Sequence, residues 1–305
     1  MLRIGHISDL HVVSPRGLEW RRALLNKRMT GYANLVLQRG RVSRRQYLDA
    51  VLRGVERADH VVVTGDITNL SLEPEFEAAR ELLDRMVNCT EVTVVPGNHD
   101  IYLPSIHHER RFFHHFHAFL RSDLPEVARD LAAGPFPCVK LRGPVAIIAL
   151  SSAVPRPPFV SSGRIGAAQL AALESILAHP EVVRRTPVLL LHHPPVDDRL
   201  RLLQLRDGLV DAASFRAALS PVAHGLVLFG HLHVRVRYRL VTAAGALHVV
   251  AASGAGLDHP DPAVRAGYNE YTIEEDGRVT SVEAHVIATD GRSLVRVPLL
   301  EDRSV

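Results

Sequence analysis

The chain has 305 residues, 47% hydrophobic and 23% charged, a balance that builds an aliphatic core and excludes wholesale disorder. A formal charge of +3 and a pI near 9.1 are too mild to single out nucleic acid or a membrane surface as a partner. Two cysteines, Cys89 and Cys138, exclude a disulfide framework and a thiolate zinc site, and the absence of a signal pattern or of an apolar run near ~20 residues makes a cytoplasmic location the expectation.

Short runs rich in Val, Ile and Leu recur along the chain and read as strands buried on both faces: Leu2–Ile7, His60–Val63, Val92–Val95, Val145–Leu150, Val188–Leu191 and Leu226–Phe229. Between them lie stretches with apolar residues at three-to-four spacing, read as helices over Arg45–Arg57, Glu73–Val87, Ile106–Leu120, Ala167–Ala178 and Ala212–Leu219. Strands alternating with helices imply a covered α/β sheet. Beyond Phe229 the pattern turns β-rich, with strands expected at Val234–Leu240, Leu247–Ala252, Tyr271–Glu275 and Val279–Val286 and a hairpin turn at Glu275-Asp276-Gly277. This part, about 234–305, reads as the second sheet of a sandwich. Two segments break the rhythm: a basic amphipathic insertion at about 15–45, and a Pro- and Ser-rich loop at 154–166. No internal repeat or long linker divides the chain, so a single domain over 1–305 is expected.

Polar residues follow the apolar runs in a series. Asp9 and His11 come after the first strand, Asp66 after the second, Asn98 and His99 after the third, His192 after a later one, and His231 with His233 after another. In open α/β sheets the carboxyl edge of the strands is where loops assemble a ligand site. Carboxylate, amide oxygen and imidazole together suit Mn, Fe or Zn better than Mg or Ca. Even with His99 left aside, the seven donors are too many for one tetrahedral ion and suffice for two if Asp66 is shared. Singly, each block is better explained by turn formers and satisfied polar residues; five together at convergent strand ends favour a metal site.

The ordered set Asp9-x-His11, Gly65-Asp66, Gly97-Asn98-His99-Asp100, His192-x-Pro194 and Gly230-His231-x-His233 resembles the calcineurin-like metallophosphoesterase superfamily over roughly Ile4 to His233. The Gly-Asn-His-Asp and His-His-Pro-Pro blocks are most similar to its bacterial cyclic-nucleotide and glycerophosphodiester phosphodiesterase branch. The resemblance implies an α/β fold, a four-layer α/β/β/α sandwich with mixed sheets, here with a helical insertion after the first strand. It implies hydrolysis of phosphodiesters, or alternatively of phosphomonoesters or the pyrophosphate bond of a nucleotide-linked or lipid-linked substrate, by hydroxide held on two divalent metal ions. Asp9, His11 and His233 would hold one ion, Asn98, His192 and His231 the other, with Asp66 between them. His99 would serve the leaving oxygen, and Asp100 would orient its imidazole. Gly65, Gly97 and Gly230 would permit the sharp turns that deliver these donors.

Other features carry less. Asn69 and Tyr102 are candidate substrate contacts, as is His193, although a packed neighbour of His192 is the plainer reading of it. The histidines at 107, 108, 114, 115 and 117 lack a carboxylate or thiol to complete a metal shell. The expected partner is a small phosphorylated substrate. The 15–45 segment is either a solvated hairpin or a cap that meets a lipid or membrane surface. No stacking-aromatic series supports a nucleic-acid partner, and the sequence leaves the oligomeric state and the leaving group open.

Overall fold

The computed structural model describes residues 1–14 and 44–299 and the backbone of Arg303–Ser304; apart from its last two residues, the expected insertion lies outside the described residues. Strands are numbered β1 to β15 and helices α1 to α8 in chain order.

Two mixed sheets dominate. In the first, β1 (Leu2–Ile7), β2 (His60–Val63) and β3 (Glu91–Val94) are parallel, and β12 (Gly267–Ile273), β13 (Val279–Ile287) and β14 (Leu294–Pro298) extend antiparallel from β1. In the second, β7 (Val145–Ala149), β8 (Thr186–Leu190), β9 (Leu226–Phe229) and β11 (Ala246–Ala251) are parallel. Antiparallel β6 (Cys138–Arg142) and β10 (Arg237–Val241) flank them, and β15 (Arg303–Ser304) pairs outside β10. β4 (Arg129–Leu131) and β5 (Gly134–Phe136) form a separate hairpin.

The alternation of side chains along the second sheet shows the layering directly. Ile147, Ala149, Val188, Leu190, Leu226 and Leu228 join a core shared with Ile4, Val62 and Val94 of the first sheet. Their neighbours Ile148, Leu189, Val227 and Phe229 face the other way, onto Leu173 and Ile176 of α5 (Ala167–Leu177) and Phe215 and Ala218 of α8 (Ala212–Ala218). On the far side, α1 (Arg45–Val55) and α2 (Glu73–Val87) cover the first sheet with Val51, Val55, Phe76 and Leu83. The result is helix, sheet, sheet, helix. Each fully buried aliphatic side chain contributes about 1.5–3 kcal/mol of transfer free energy. Lys140, 3% exposed, joins the two sheets at one edge by donating to the Val92 carbonyl at 2.9 Å beside Glu91 at 3.1 Å.

The C-terminal strands depart from expectation. They form no sheet of their own: β10 and β11 complete the second sheet, whereas β12 pairs with β1 and carries β13 and β14 outward from it in the first. The helix expected at 106–120 is broken into α3 (Pro104–His108), α4 (Arg111–Phe116) and a 3-10 turn, because Arg110 adopts a left-handed φ of 53° and its guanidinium turns to Asp130. The shorter α6 (Pro180–Val183) and α7 (Arg201–Asp207) were not apparent from periodicity. No helix among the described residues is long and apolar enough to cross a membrane.

Candidate metal centre

The carboxyl ends of β1, β2 and β3 meet those of β8 and β9 at one edge. Backbone hydrogen bonds register the loops before any side chain acts: Asp9 N–H donates to Gly65 O at 3.0 Å, His11 N–H to Asp66 O at 2.9 Å, and Gly230 N–H to His192 O at 3.1 Å. Asp9, His11, Asp66, His231 and His233 all carry left-handed φ values, between 45° and 69°. Asp and His tolerate this region better than bulkier residues do, yet each such position costs on the order of 1 kcal/mol or more. Gly65, with φ of 93°, is the one of the three motif glycines that needs the left-handed region. Gly97 instead allows close approach, since a Cβ there would lie 2.2 Å from Asp66 Oδ1.

Two groups of donors face each other across Asp66. In the first, Asp9 Oδ1 lies 2.9 Å from His233 Nε2 and 3.8 Å from His11 Nε2. The two imidazole nitrogens are 3.3 Å apart, and Asp66 Oδ2 is 3.9 Å from His11. In the second, His192 Nε2 lies 3.2 Å from Asn98 Oδ1, 3.2 Å from His231 Nδ1 and 3.5 Å from Asp66 Oδ1. All seven expected donors are therefore brought together.

These atoms are short of protons. Thr64 O can only accept, so its 2.6 Å contact fixes the proton of His192 on Nδ1, and neutral His192 turns a lone pair toward Asn98, His231 and Asp66. Asp9 Oδ1 is buried, and its 2.9 Å contact with His233 Nε2 is not aligned as a hydrogen bond. A cation satisfies such a convergence, whereas an apolar or purely hydrogen-bonded filling does not. The titration pattern agrees. Burial alone would raise Asp66, but the charges of His192, His99 and His11 hold it well below the usual carboxylate range. Burial opposes charge on His192, yet Asp66 and Asp9 push it up to about 9, the mark of a site whose carboxylates call for a cation. Burial and that charged ring push His231 down to about 3.

His99 stands at the shared side of the two groups. Its N–H donates to Asp66 Oδ1 at 2.7 Å, and its Nδ1–H to the Asn69 carbonyl at 2.5 Å, leaving Nε2 4.0 Å from Asp66 Oδ2. Tyr102 stacks on its ring at 5.2 Å. Asp100 does not orient this imidazole as expected. Its carboxylate accepts from Gly97 N at 2.9 Å, Ile67 N at 3.2 Å, Thr68 N at 2.8 Å and Thr68 Oγ1 at 2.9 Å. Four donors from two loops fix its position, so it locks the Asp66 loop to the Asn98 loop. The Asn69 backbone, not Asp100, orients His99.

The three expected substrate contacts are all buried. His193 is fully enclosed: Nε2–H donates to Ser161 O at 2.9 Å and Nδ1 accepts from Ser152 Oγ at 2.8 Å, which leaves neither nitrogen for substrate or metal. Asn69 and Tyr102, 1% and 5% exposed, back His99. Nor does Asn69 cap α2, since Glu75 accepts from the N–H groups of Asn69, Leu70 and Leu72. Sequence reasoning missed Ser152, whose hydroxyl also accepts from His192 N and His193 N at 3.3 Å each. It too follows an apolar strand, the signal that revealed the donors. Of the histidines at 107–117, His115 pairs with Glu73 and stacks on Phe76, a packing role.

Comparisons with known proteins agree with this geometry. The model of the family described as calcineurin-like phosphoesterase matches residues 2–235. A search of curated proteins finds no match. Among solved structures, a dimetal phosphatase from Danio rerio is similar over 98% of this chain and 99% of its own, at 14% identity and a TM-score of 0.57. Purple acid phosphatase PPD1 from yellow lupin, Lupinus luteus, is similar over 99% of this chain at 11% identity and a TM-score of 0.55, and the chain spans 54% of that protein. At these identities the structures speak for the fold, whereas the family match covers most of the sequence, including every expected donor. The chain belongs to the calcineurin-like phosphoesterase family and is a metal-dependent phosphoric ester hydrolase working with two divalent ions.

Proposed function

We propose that the chain hydrolyses phosphodiesters, with cyclic nucleotides of the cAMP type and glycerophosphodiesters as candidate substrates. Asp9, His11 and His233 would hold one ion and Asn98, His192 and His231 the other, with Asp66 placed between the two groups. The observation that carries this reading is that the two oxygens of Asp66 face different donor groups, Oδ2 toward His11 and Oδ1 toward His192. The bound pair supplies Lewis acidity for the phosphoryl oxygens and lowers the pKa of water.

The chain's own residues do the rest. His192 keeps its proton on Nδ1 through Thr64 and presents Nε2. Asn69 holds Nδ1 of His99 in the same way, so that a proton on His99 Nε2 is aimed at the leaving oxygen. Asp100 keeps the two loops in register, which preserves the spacing of Asp66, Asn98 and His99. The 15–45 segment follows His11 closely in the sequence, and its arginines would draw an anionic or lipid-borne substrate.

The test is hydrolysis of bis-(p-nitrophenyl) phosphate, p-nitrophenyl phosphate and cAMP with Mn, by wild type, Asp66→Ala and His99→Ala. The diesters should turn over fastest in wild type. A preference for p-nitrophenyl phosphate would move the assignment to monoesters, and rates equal to the metal blank on all three would remove it.

A further inference from the structure

The amino end of β1 carries a second charged site that the metal centre does not use. A cleft of about 720 Å³ opens there between α1 and the outer face of the first sheet. Its walls include Arg3 of β1, Arg53 of α1, Arg57, Arg292 and Arg296 of β14, with Glu270 as its one carboxylate. Arg3 lies 3.8 Å from Asp59, and Arg296 pairs with Glu283. Five guanidiniums thus line a cleft whose wall holds one carboxylate, with Asp59 beside Arg3, Glu283 beside Arg296 and Asp290 near enough to Arg292 to feel its charge. Arg53, Arg57 and Arg292 have no carboxylate within ion-pair distance among the described residues.

The five arginines and Tyr268 line the same cleft, and the charges of Arg57, Arg3 and Arg296 oppose the rise, to about 12, that burial and Glu270 impose on the Tyr268 hydroxyl. Tyr268 stacks face to face on His285 at 4.5 Å and is 5% exposed, which makes the floor rigid. Gly54 of α1 is required there, because a Cβ would come within 2.8 Å of the Tyr268 ring. Guanidinium forks match phosphate oxygens bidentately, and isolated like charges held together on a firm wall cost energy that a multivalent anion relieves. A space of roughly 300–1,000 Å³ accommodates a small-molecule ligand.

We propose that this cleft binds a soluble anion bearing at least two phosphate charges, of the diphosphate or nucleoside diphosphate class, at a site separate from the metal centre. From Arg3 to Asp9 the chain advances roughly 20 Å at strand rise, so one small ligand does not span the two sites.

Isothermal titration of the full chain with inorganic pyrophosphate, after metal removal by chelation and at low salt, tests this. One molecule should bind per chain, with affinity falling as NaCl is added. Arg53→Ala with Arg57→Ala should weaken binding about tenfold or more, the loss expected for charge-assisted bonds. Both side chains are exposed, so the melting temperature should hold, and Arg292→Glu alone gives an independent loss. Asp66→Asn should leave this binding unchanged. Absence of binding overturns the proposal, as does equal affinity in the arginine variants or loss in Asp66→Asn alone. Vesicles of equimolar phosphatidylcholine and phosphatidic acid form the second arm: sedimentation with them, without affinity for pyrophosphate, overturns the assignment to a soluble anion.

Discussion

The two ends of the first sheet solve opposite electrostatic problems with opposite materials. At the carboxyl ends, lone pairs are concentrated in buried loops with left-handed backbone, and few protons are present to separate them. At the amino ends, positive charge is concentrated on exposed side chains of an ordinary strand and helix. The first arrangement is over-determined by backbone bonds and close glycines, so small changes propagate through it. The second hangs from regular structure, so its side chains can be exchanged without disturbing the fold.

The sharpest way to break this contrast is at Asp66. Asp66→Ala removes the one side chain that faces both donor groups, and kcat should fall by at least about 1,000-fold, with elemental analysis showing fewer than two metals per chain. Retention of both ions would show that the two groups are independent. Next comes His99→Ala, which should lower kcat by about 100- to 10,000-fold while metal content stays intact, the signature of a proton donor rather than a ligand. Loss of metal in that variant would reassign the residue. Asp100→Ala strips the acceptor from three buried backbone N–H groups and should destabilise the fold by about 3 kcal/mol or more, measured by urea unfolding. On the arginine side, Arg57→Ala should change stability by no more than about 0.5 kcal/mol.

Acid stability follows from two histidines outside the metal groups. Burial pushes His6 and His60 down to about 3, and each makes a hydrogen bond to a hydroxyl, His6 to Tyr271 and Thr64 and His60 to Thr93. The unfolded chain takes up protons on these rings first, as pH drops below about 6.5. Stability should therefore decline from about pH 6.5 toward pH 3, and His60→Gln should flatten part of that slope in denaturant titrations. An unchanged slope would place the acid limb on the carboxylates instead.

Much of this site was legible because its chemistry obeys a positional rule: donors follow apolar strands, and Asp9, Asp66, Asn98, His192 and His231 all do. The helices Glu73–Val87 and Ala212–Ala218 were legible because their apolar spacing is uninterrupted. The rest depends on partners that one-dimensional pattern does not contain. Nothing in the sequence says that Asp100 turns away from the adjacent His99 toward Thr68, or that five non-glycine donors accept left-handed backbone. Helical spacing over 106–120 hid the reversal at Arg110, whose partner Asp130 lies 20 residues on. The strands from β10 onward read as one sheet because alternation reports a buried face and not which neighbour buries it.

The tail of the chain gives one more consequence. β14 closes the far edge of the first sheet, and only a few residues later β15 lies against the outermost strand of the second. β14 and β15 thus act as a clasp, occupying the hydrogen-bonding rims of both layers at once. A chain cut after Ile287 would bare two unpaired rims together and should self-associate on warming, long before its catalytic loops were disturbed.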